Sequence, residues 1–324
     1  MSYAWRRLAR AAIVLVATSI FCFILSAIVP GSYFDELRMN PQVSPQTIQG
    51  LREQYGLDRP LPTRYWLWVR SAARGDFGYS FAYNAPVGPL LLVRARNTLL
   101  LTATATLLAW LLAVPLGAWT AWRRGGWLDR AITTTSSFMI SVPEIAVVLA
   151  VLAFAVRSRM LPVGGMVSAS FDSLSWWGRV WDIGAHLIVP ATVLAFGIVA
   201  IVVRHVRSSV AEVLESPYIE AARGNGIRTS RLLLRHVLPA AANPAISLFG
   251  LSLAALLSGS LTVEVITGWP GLGPLVLEAT LARDPYVVIG AVMLSAVVVI
   301  SGTLIADLLL LAFDPRISTR SAHA

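Results

Sequence analysis

The chain carries 26 basic residues, 17 carboxylates, four histidines and one cysteine, and every one of the 26 is arginine, because the sequence has no lysine. Without lysine there is no P-loop to grip a nucleotide phosphate, no Schiff base and no lysine general base, so any ATP hydrolysis takes place on another chain. The histidines, His186, His205, His236 and His323, are scattered and form no H-E-x-x-H, and Cys22 stands alone in an apolar run. The sequence therefore predicts no metal centre, no disulfide and no bound cofactor. The run "SGS" at Ser258 to Ser260 lacks the G-x-S-x-G frame of a serine hydrolase. Three carboxylates inside apolar runs remain: Glu144 near the middle of the third run, Glu264 near the outer end of the fifth and Asp307 near the inner end of the sixth. An ionisable group facing lipid costs about 2.5–3.5 kcal/mol, so each should face a path or a neighbouring helix. Glu144 and Glu264 are candidates for meeting a cationic solute group, with helix-to-helix bonding as the alternative, and Asp307 reads as a helix bond.

The elements that must position these groups follow from composition. The chain has 324 residues, is 56% hydrophobic and only 13% charged, with a mean hydropathy of +0.69. That is the composition of an integral membrane protein. Six runs reach the roughly 20 residues needed to cross a bilayer: Ala11 to Val29, Thr98 to Ala121, Ala131 to Val156, Gly184 to Val203, Ala241 to Ile266 and Tyr286 to Leu311. The first follows Arg6, Arg7 and Arg10 and is too long for a cleaved secretory signal, so it reads as a retained span. Glycine and proline at Pro115-Leu116-Gly117 and Pro143 are expected bending points.

Arginine placement sets the orientation. Arg123, Arg124 and Arg130 flank one short loop, Arg204, Arg207, Arg223, Arg228, Arg231 and Arg235 crowd another, and Arg316 and Arg320 lie in the tail. With six spans all of these share the side of the N-terminal arginines, which the positive-inside rule makes cytoplasmic, both termini included. These positions also explain the basic balance by membrane topology, without nucleic acid. The segment from Pro30 to Asn97 then lies outside despite its eight arginines, since long loops weigh little in that rule. It reads as a folded insert. Ser44-Pro45 and "QTIQGLREQYG" carry a cap, an early proline and a glycine stop, and "RYWLWVRSAARGDFG" reads as an aromatic amphipathic helix at the interface. Trp176, Trp177 and Trp181 suit an aromatic belt. "GWPGLG" at Gly268 to Gly273 is not expected to be regular helix, and at the outer mouth of a span such backbone must lie against protein or water.

Between the fourth and fifth spans, "EAARGNGIRTSRLLLRHVLPAA" is basic and broken by glycine. Ser216-Pro217 should start a short helix running to about Arg223, Gly224 and Gly226 should stop it, and Thr229 or Ser230 should cap a second helix that lasts until Pro239 opens the next span. Ala221 and Ala222 would present a small surface to another protein; the plain alternative is a topology anchor that happens to contain glycines.

The order Glu220-Ala221-Ala222, three residues, Gly226, then Leu238-Pro239 resembles the EAA loop of the membrane subunits of ATP-binding-cassette importers, with His236 where an isoleucine is usual. "LREQYGLDRPLP", "RGDFGYS", "RRGGWLDR", "SVPE", "LPVGG", "HLIVPA", "GWPGLG", "ARDPYVV" and "FDPRIS" extend the likeness, in order, to the first of the two permease types of dipeptide, oligopeptide and nickel importers. "PGSY" departs from it, an acidic residue being more common after the glycine. The resemblance implies an all-α membrane protein of the type I importer permease fold: an N-terminal span at 1–30, an extracytoplasmic insert at 31–97, a permease core at 98–317 with its coupling loop at about 204–240, and a cytoplasmic tail at 318–324. It implies a transport subunit of a bacterial or archaeal plasma membrane, not an enzyme, with a second permease, two ABC ATPase subunits, an extracytoplasmic solute-binding protein and membrane lipid as partners. Glu220, Ala221, Ala222, Gly226, Leu238 and Pro239 would couple to the ATPase, while Glu144, Glu264, Trp269, Pro270, Gly271 and Gly273 are candidates for the translocation path or gate. Peptide is the first solute class implied, with nickel and glutathione-like or opine-like solutes open. The rival classes are an ion-coupled secondary transporter, which needs no docking loop, and an intramembrane enzyme.

Overall fold

The computed structural model describes residues 3–28, 31, 33–38 and 44–313. The expected tail at 318–324, His323, Arg316, Arg320, all of "FDPRIS" but Phe313, and Pro30 and Ser32 of the first outer turn lie outside them. The described elements are α1 (Tyr3–Ile28), α2 (Tyr33–Arg38), α3 (Pro45–Gln54), α4 (Leu61–Ala72), strands β1 (Tyr79–Ser80) and β2 (Ala85–Pro86), α5 (Val87–Trp122), α6 (Trp127–Ser141), α7 (Glu144–Ser158), α8 (Trp176–Leu214), α9 (Pro217–Gly224), α10 (Thr229–Leu232), α11 (Leu238–Thr267), α12 (Leu272–Leu281) and α13 (Pro285–Phe313). Among the described residues, five helical stretches are long and apolar enough to cross a membrane, and the bent pair α6 and α7 makes a sixth if taken as one broken span.

The chain forms two compact units, one of residues up to Asn97 with Pro270–Val298, the other of Thr98–Trp269 with the residues from Val299 onward. The second unit is organised on α8, whose Val193, Val202, Val206 and Val210 are buried in its core. Leu101, Ala105, Ala109 and Ala113 of α5, four residues apart and wholly buried, meet that core along one helical stripe. Small residues there let two helix backbones approach, which substitutes for the hydrophobic drive that lipid does not supply. Gly117 extends the stripe: a Cβ on it would sit 2.8 Å from Val206 Cβ and 2.9 Å from the Val203 carbonyl oxygen. The bend expected at Pro115-Leu116-Gly117 does not interrupt α5, which runs on to Trp122 as one helix. Pro143 does interrupt the helix. Proline excludes the helical region for the residue before it, Val142 is extended (φ −84°, ψ 126°), and α6 and α7 meet at a bend of 102°.

In the first unit, Val87, Leu91 and Ala95 pack with Leu272, Leu275, Ala279, Val287 and Ala291, and Phe23, Trp68 and Ile289 form a second cluster. The segment 44–86 is held by local chemistry the sequence announces. Ser44 Oγ accepts the Thr47 N–H at 3.1 Å, capping α3, and Gly56 closes that segment at φ 63°. "RGDFGYS" and "ARDPYVV" meet directly: the wholly buried Ser80 hydroxyl donates to Asp284 Oδ2 at 2.7 Å, and the Ala82 N–H donates to the same oxygen at 3.2 Å. Beside them, Trp68 Nε1 donates to the Phe77 carbonyl at 3.1 Å.

Candidate functional site

The loop after α8 forms a helix, a glycine turn and a helix, with three departures from the expected detail. α9 includes Gly224, and the chain reverses at Gly226, whose φ of 74° is in the left-handed region. α10 continues through a π-helical turn at Leu233–Val237 into α11, so Pro239 sits in the first turn of α11 without opening a separate element. A proline costs little there because its missing N–H is among the unpaired donors of a helix start. Third, Ala221 and Ala222 face different ways: Ala221 is exposed, while Ala222 packs against the protein's own core beside the wholly buried Ile219. Successive helical residues point about 100° apart, so only one can face outward with Glu220. Ile219, Leu232 and Val237, all buried, anchor the loop, and Glu220, Ala221, Arg223, Gly224 and Gly226 form its exposed tip. Leu238 is half-buried and Pro239 exposed.

Charged contacts support this knob. Asp129, at the start of α6, accepts Arg207 Nε at 2.5 Å and Nη2 at 2.9 Å in a bidentate pair, and the Gly125 N–H at 2.9 Å. Arg124 pairs with Glu215 at the end of α8, and the Arg223 guanidinium lies 5.2 Å from the centre of the Trp122 ring. The short loop between α5 and α6 is thereby tied to both sides of the α8–α9 junction. Sequence reading weighed these arginines only as topology markers.

"GWPGLG" is a buried corner. Gly268 at φ 67° ends α11 in a Schellman arrangement, its N–H directed to the Val265 carbonyl and the Trp269 N–H donating to the Glu264 carbonyl at 2.9 Å. The break is confined to 268–271, because Leu272 and Gly273 already belong to α12, a helix the sequence reading did not recognise. Gly165 of "LPVGG" donates to the Thr267 carbonyl at 3.2 Å, and a Cβ on Gly268 would come 3.4 Å from Gly165 N, so the two glycine motifs meet backbone to backbone. Trp269 is wholly buried, Gly271 and Gly273 are buried and Pro270 is half-buried; the Pro270 carbonyl accepts Asn97 Nδ2 at 2.8 Å. Glu264 is wholly buried as well.

Glu144 is placed differently. The break at Pro143 leaves it as the first residue of α7, on the wall of a cavity of about 220 Å³ between α6, α7, α8 and α11. Val142, Val147, Leu194, Phe196 and Leu256 make much of the remaining wall, and Glu144 is the one ionisable residue in it among the described residues. Its carboxylate lies over Gly259, where a Cβ would stand 2.8 and 3.1 Å from the two oxygens. The candidate path residues are thus not brought together: Glu144 opens into the cavity, and Glu264 with the "GWPGLG" corner is packed elsewhere. Gly259, the middle of "SGS", was legible only as a failed hydrolase motif; its use is the space it leaves. His186 Nδ1 and His205 Nδ1 donate to the carbonyls of Asp182 and Ile201 at 2.8 and 2.9 Å, which occupies both rings structurally, and no group of three metal-ligating side chains exists among the described residues.

Long apolar helices, a helix break at Pro143 beside a cavity, and a helix–turn–helix knob on an arginine-rich loop are the parts a membrane permease requires. Residues 113–319 match the model of the binding-protein-dependent transport system inner membrane component, and residues 1–102 match the N-terminal model of the same transport systems' membrane component. The chain belongs to this family and is the permease component of an ABC importer, a transport subunit and not an enzyme. Similar proteins include the oligopeptide transport system permease protein AppB of Bacillus subtilis, 34% identical over 98% of this chain and 99% of that one, and the glutathione transport system permease protein GsiC of Escherichia coli K12, 31% identical over 98% and 99%. Among solved structures, the MetNI methionine ABC transporter matches with a TM-score of 0.57 at 18% identity, over 69% of this chain and 96% of that one, which shows the importer permease fold.

Proposed function

We propose that this permease imports peptides, pairing with a related second permease to line a path, receiving solute from an extracytoplasmic binding protein and alternating its access as two ABC ATPase subunits close and open. The observation that carries the coupling half is the knob at 217–237: its apolar residues are anchored in the permease core while Glu220, Ala221 and the Gly226 turn are left exposed on the arginine-rich side. A motor must push on something rigid, and a turn fixed by a left-handed glycine between two anchored helices is rigid. The names of AppB and GsiC support a peptide solute. Both termini and the knob are cytoplasmic in this reading, by the arginine distribution. In a Cys22→Ser background, an impermeant thiol reagent applied outside should label cysteines placed at Trp66 and Trp176 and miss one at Arg231; protection of either outer position would overturn the topology.

Glu144 offers a carboxylate to the cationic end of a solute. ATP-driven uptake of labelled peptides by the reconstituted complex tests the reading as a whole, and uptake driven by an ion gradient with this chain alone would refute it. In the same assay Glu144→Gln should lower uptake about tenfold or more, the loss of one hydrogen bond to a charged group at about 1.5–3 kcal/mol. Gly259→Ala should reproduce that defect by displacing the carboxylate from its notch, and normal uptake by both variants with intact assembly would remove Glu144 from the path.

A further inference from the structure

The outer insert holds a second cavity of about 220 Å³, lined by Gln54, Tyr55, Arg59, Arg64, Asp76 and Tyr79 among others. We propose that this cleft receives a carboxylate side chain presented by the extracytoplasmic solute-binding protein, an inference that rests on the importer reading above and gives its docking surface a chemistry.

The argument starts from unmet hydrogen-bonding capacity. Arg64 Nε is buried without a hydrogen-bond partner, and neither Arg59 nor Arg64 has a side-chain hydrogen bond or ion pair among the described residues. A buried polar group left unsatisfied costs about 1–3 kcal/mol and more when charged, so such a group in a native fold calls for a partner. The neighbouring acids are already engaged. Asp58 takes the Arg52 fork at 2.9 and 3.0 Å, and Asp76 Oδ1 accepts the Gly78 N–H at 3.0 Å. Two guanidinium groups against the one carboxylate of Asp76 leave the cleft with an excess positive charge, and the planar guanidinium fork matches a carboxylate bidentately. The wall is stiff: the Tyr55 and Tyr79 rings stack at 5.4 Å with 24° between their planes, and Tyr79 Oη donates to Asn84 Oδ1 at 2.7 Å.

Helix geometry separates a protein partner from a lipid headgroup. Arg64, Leu67, Trp68 and Ser71 line the cleft at the spacing of a single face of α4. Trp66, 67% exposed and the ring suited to the headgroup layer, is two residues from Arg64 and so about 200° around the helix. If Trp66 marks the bilayer side, the cleft faces the other way.

The test uses the complete transporter in nanodiscs with its cognate solute-binding protein. Phenylglyoxal modification, read by mass spectrometry, should drop at Arg59 and Arg64 when the binding protein docks and stay unchanged at the exposed Arg70, about 120° round α4 from Arg64 and outside the cleft. Joint Arg59→Glu and Arg64→Glu replacement should weaken docking about thirtyfold or more, as removal of one side of a desolvated charge pair does, whereas Arg70→Glu should change it about twofold at most. Docking with both arginines still reactive would overturn the proposal and leave the importer reading standing, and the footprint on the wild-type chain decides this even where the double variant assembles poorly. Protection by anionic-lipid nanodiscs without the binding protein would assign the cleft to lipid phosphate and overturn it too. Absence of both docking and ATP-driven uptake in the wild type would instead bring down the importer reading, and this inference with it.

Discussion

Gly226→Val will abolish solute-stimulated ATP hydrolysis by the assembled transporter while leaving the permease inserted in the membrane. At φ 74° a side chain with a Cβ is strained by about 1–2 kcal/mol, and a β-branched one is a true outlier in that region. Space is not the obstacle, since a Cβ at Gly226 would meet nothing within 4 Å, so the whole effect passes through the backbone. The least costly relief is to unwind the turn, which moves the exposed tip of α9 relative to its anchors Ile219 and Leu232. Ala221→Asp should uncouple without that strain, because it adds a carboxylate at an exposed position of the proposed docking surface. Ala222→Asp should do more damage than a contact variant, forcing a charge toward the permease core. Arg231→Gln, on an exposed face, should remain close to wild type in ATP hydrolysis and insertion alike. A topology anchor predicts the reverse order, so full coupling by Gly226→Val together with faulty insertion of Arg231→Gln would sink the docking account.

What the sequence disclosed and what it hid divide along a physical line. Features written in short-range chemistry were legible: the Ser44 cap on α3, the left-handed glycine at 226, the proline that breaks the third span at 143. Each depends on a residue and its immediate neighbours. Features that depend on what lies across a helix interface were not. Pro115-Leu116-Gly117 has the composition of a hinge, yet at Gly117 α8 packs too close for a Cβ, and only the partner residues Val203 and Val206 reveal that. "GWPGLG" reads as irregular backbone that must lie against protein or water, and only its neighbours decide between the two: Trp269 is wholly buried and the segment is packed against "LPVGG". Glu144 and Glu264 differ in depth in the sequence but share one reading there, as candidate path carboxylates, and their separation into a cavity wall and a buried position comes from the break that leaves Glu144 at the start of α7.

The Asp129–Arg207 pair, invisible in sequence at a separation of 78 residues, should prove the most damaging single ion pair to break. Asp129 is only 4% exposed, and it holds both the Arg207 fork and the Gly125 N–H, so Asp129→Ala strips a bidentate cation and a turn amide of their acceptor at once. Removing one partner of a buried pair costs about 3–5 kcal/mol; with Arg207 partly in solvent, about 2–4 kcal/mol is expected here, read from unfolding of the purified permease in mixed detergent micelles. The two residues should not act additively. Once Asp129 is gone, Arg207→Gln removes a cation that has lost its reason to be buried, so the double variant should recover part of the loss, by an interaction energy within the roughly 0.5–3 kcal/mol found for residues in direct contact. The same variant should also uncouple. With Arg124 paired to Glu215 and Arg223 stacked over Trp122, the 123–126 loop is the brace between α6 and the base of the knob. Loosening that brace lets α9 yield under load, so Asp129→Ala should retain basal ATP hydrolysis by the partner subunits and lose its stimulation by solute. Strict additivity of Asp129→Ala and Arg207→Gln, with stimulation intact in both, would show that the pair is an ordinary surface contact and that the knob is held by its apolar anchors alone.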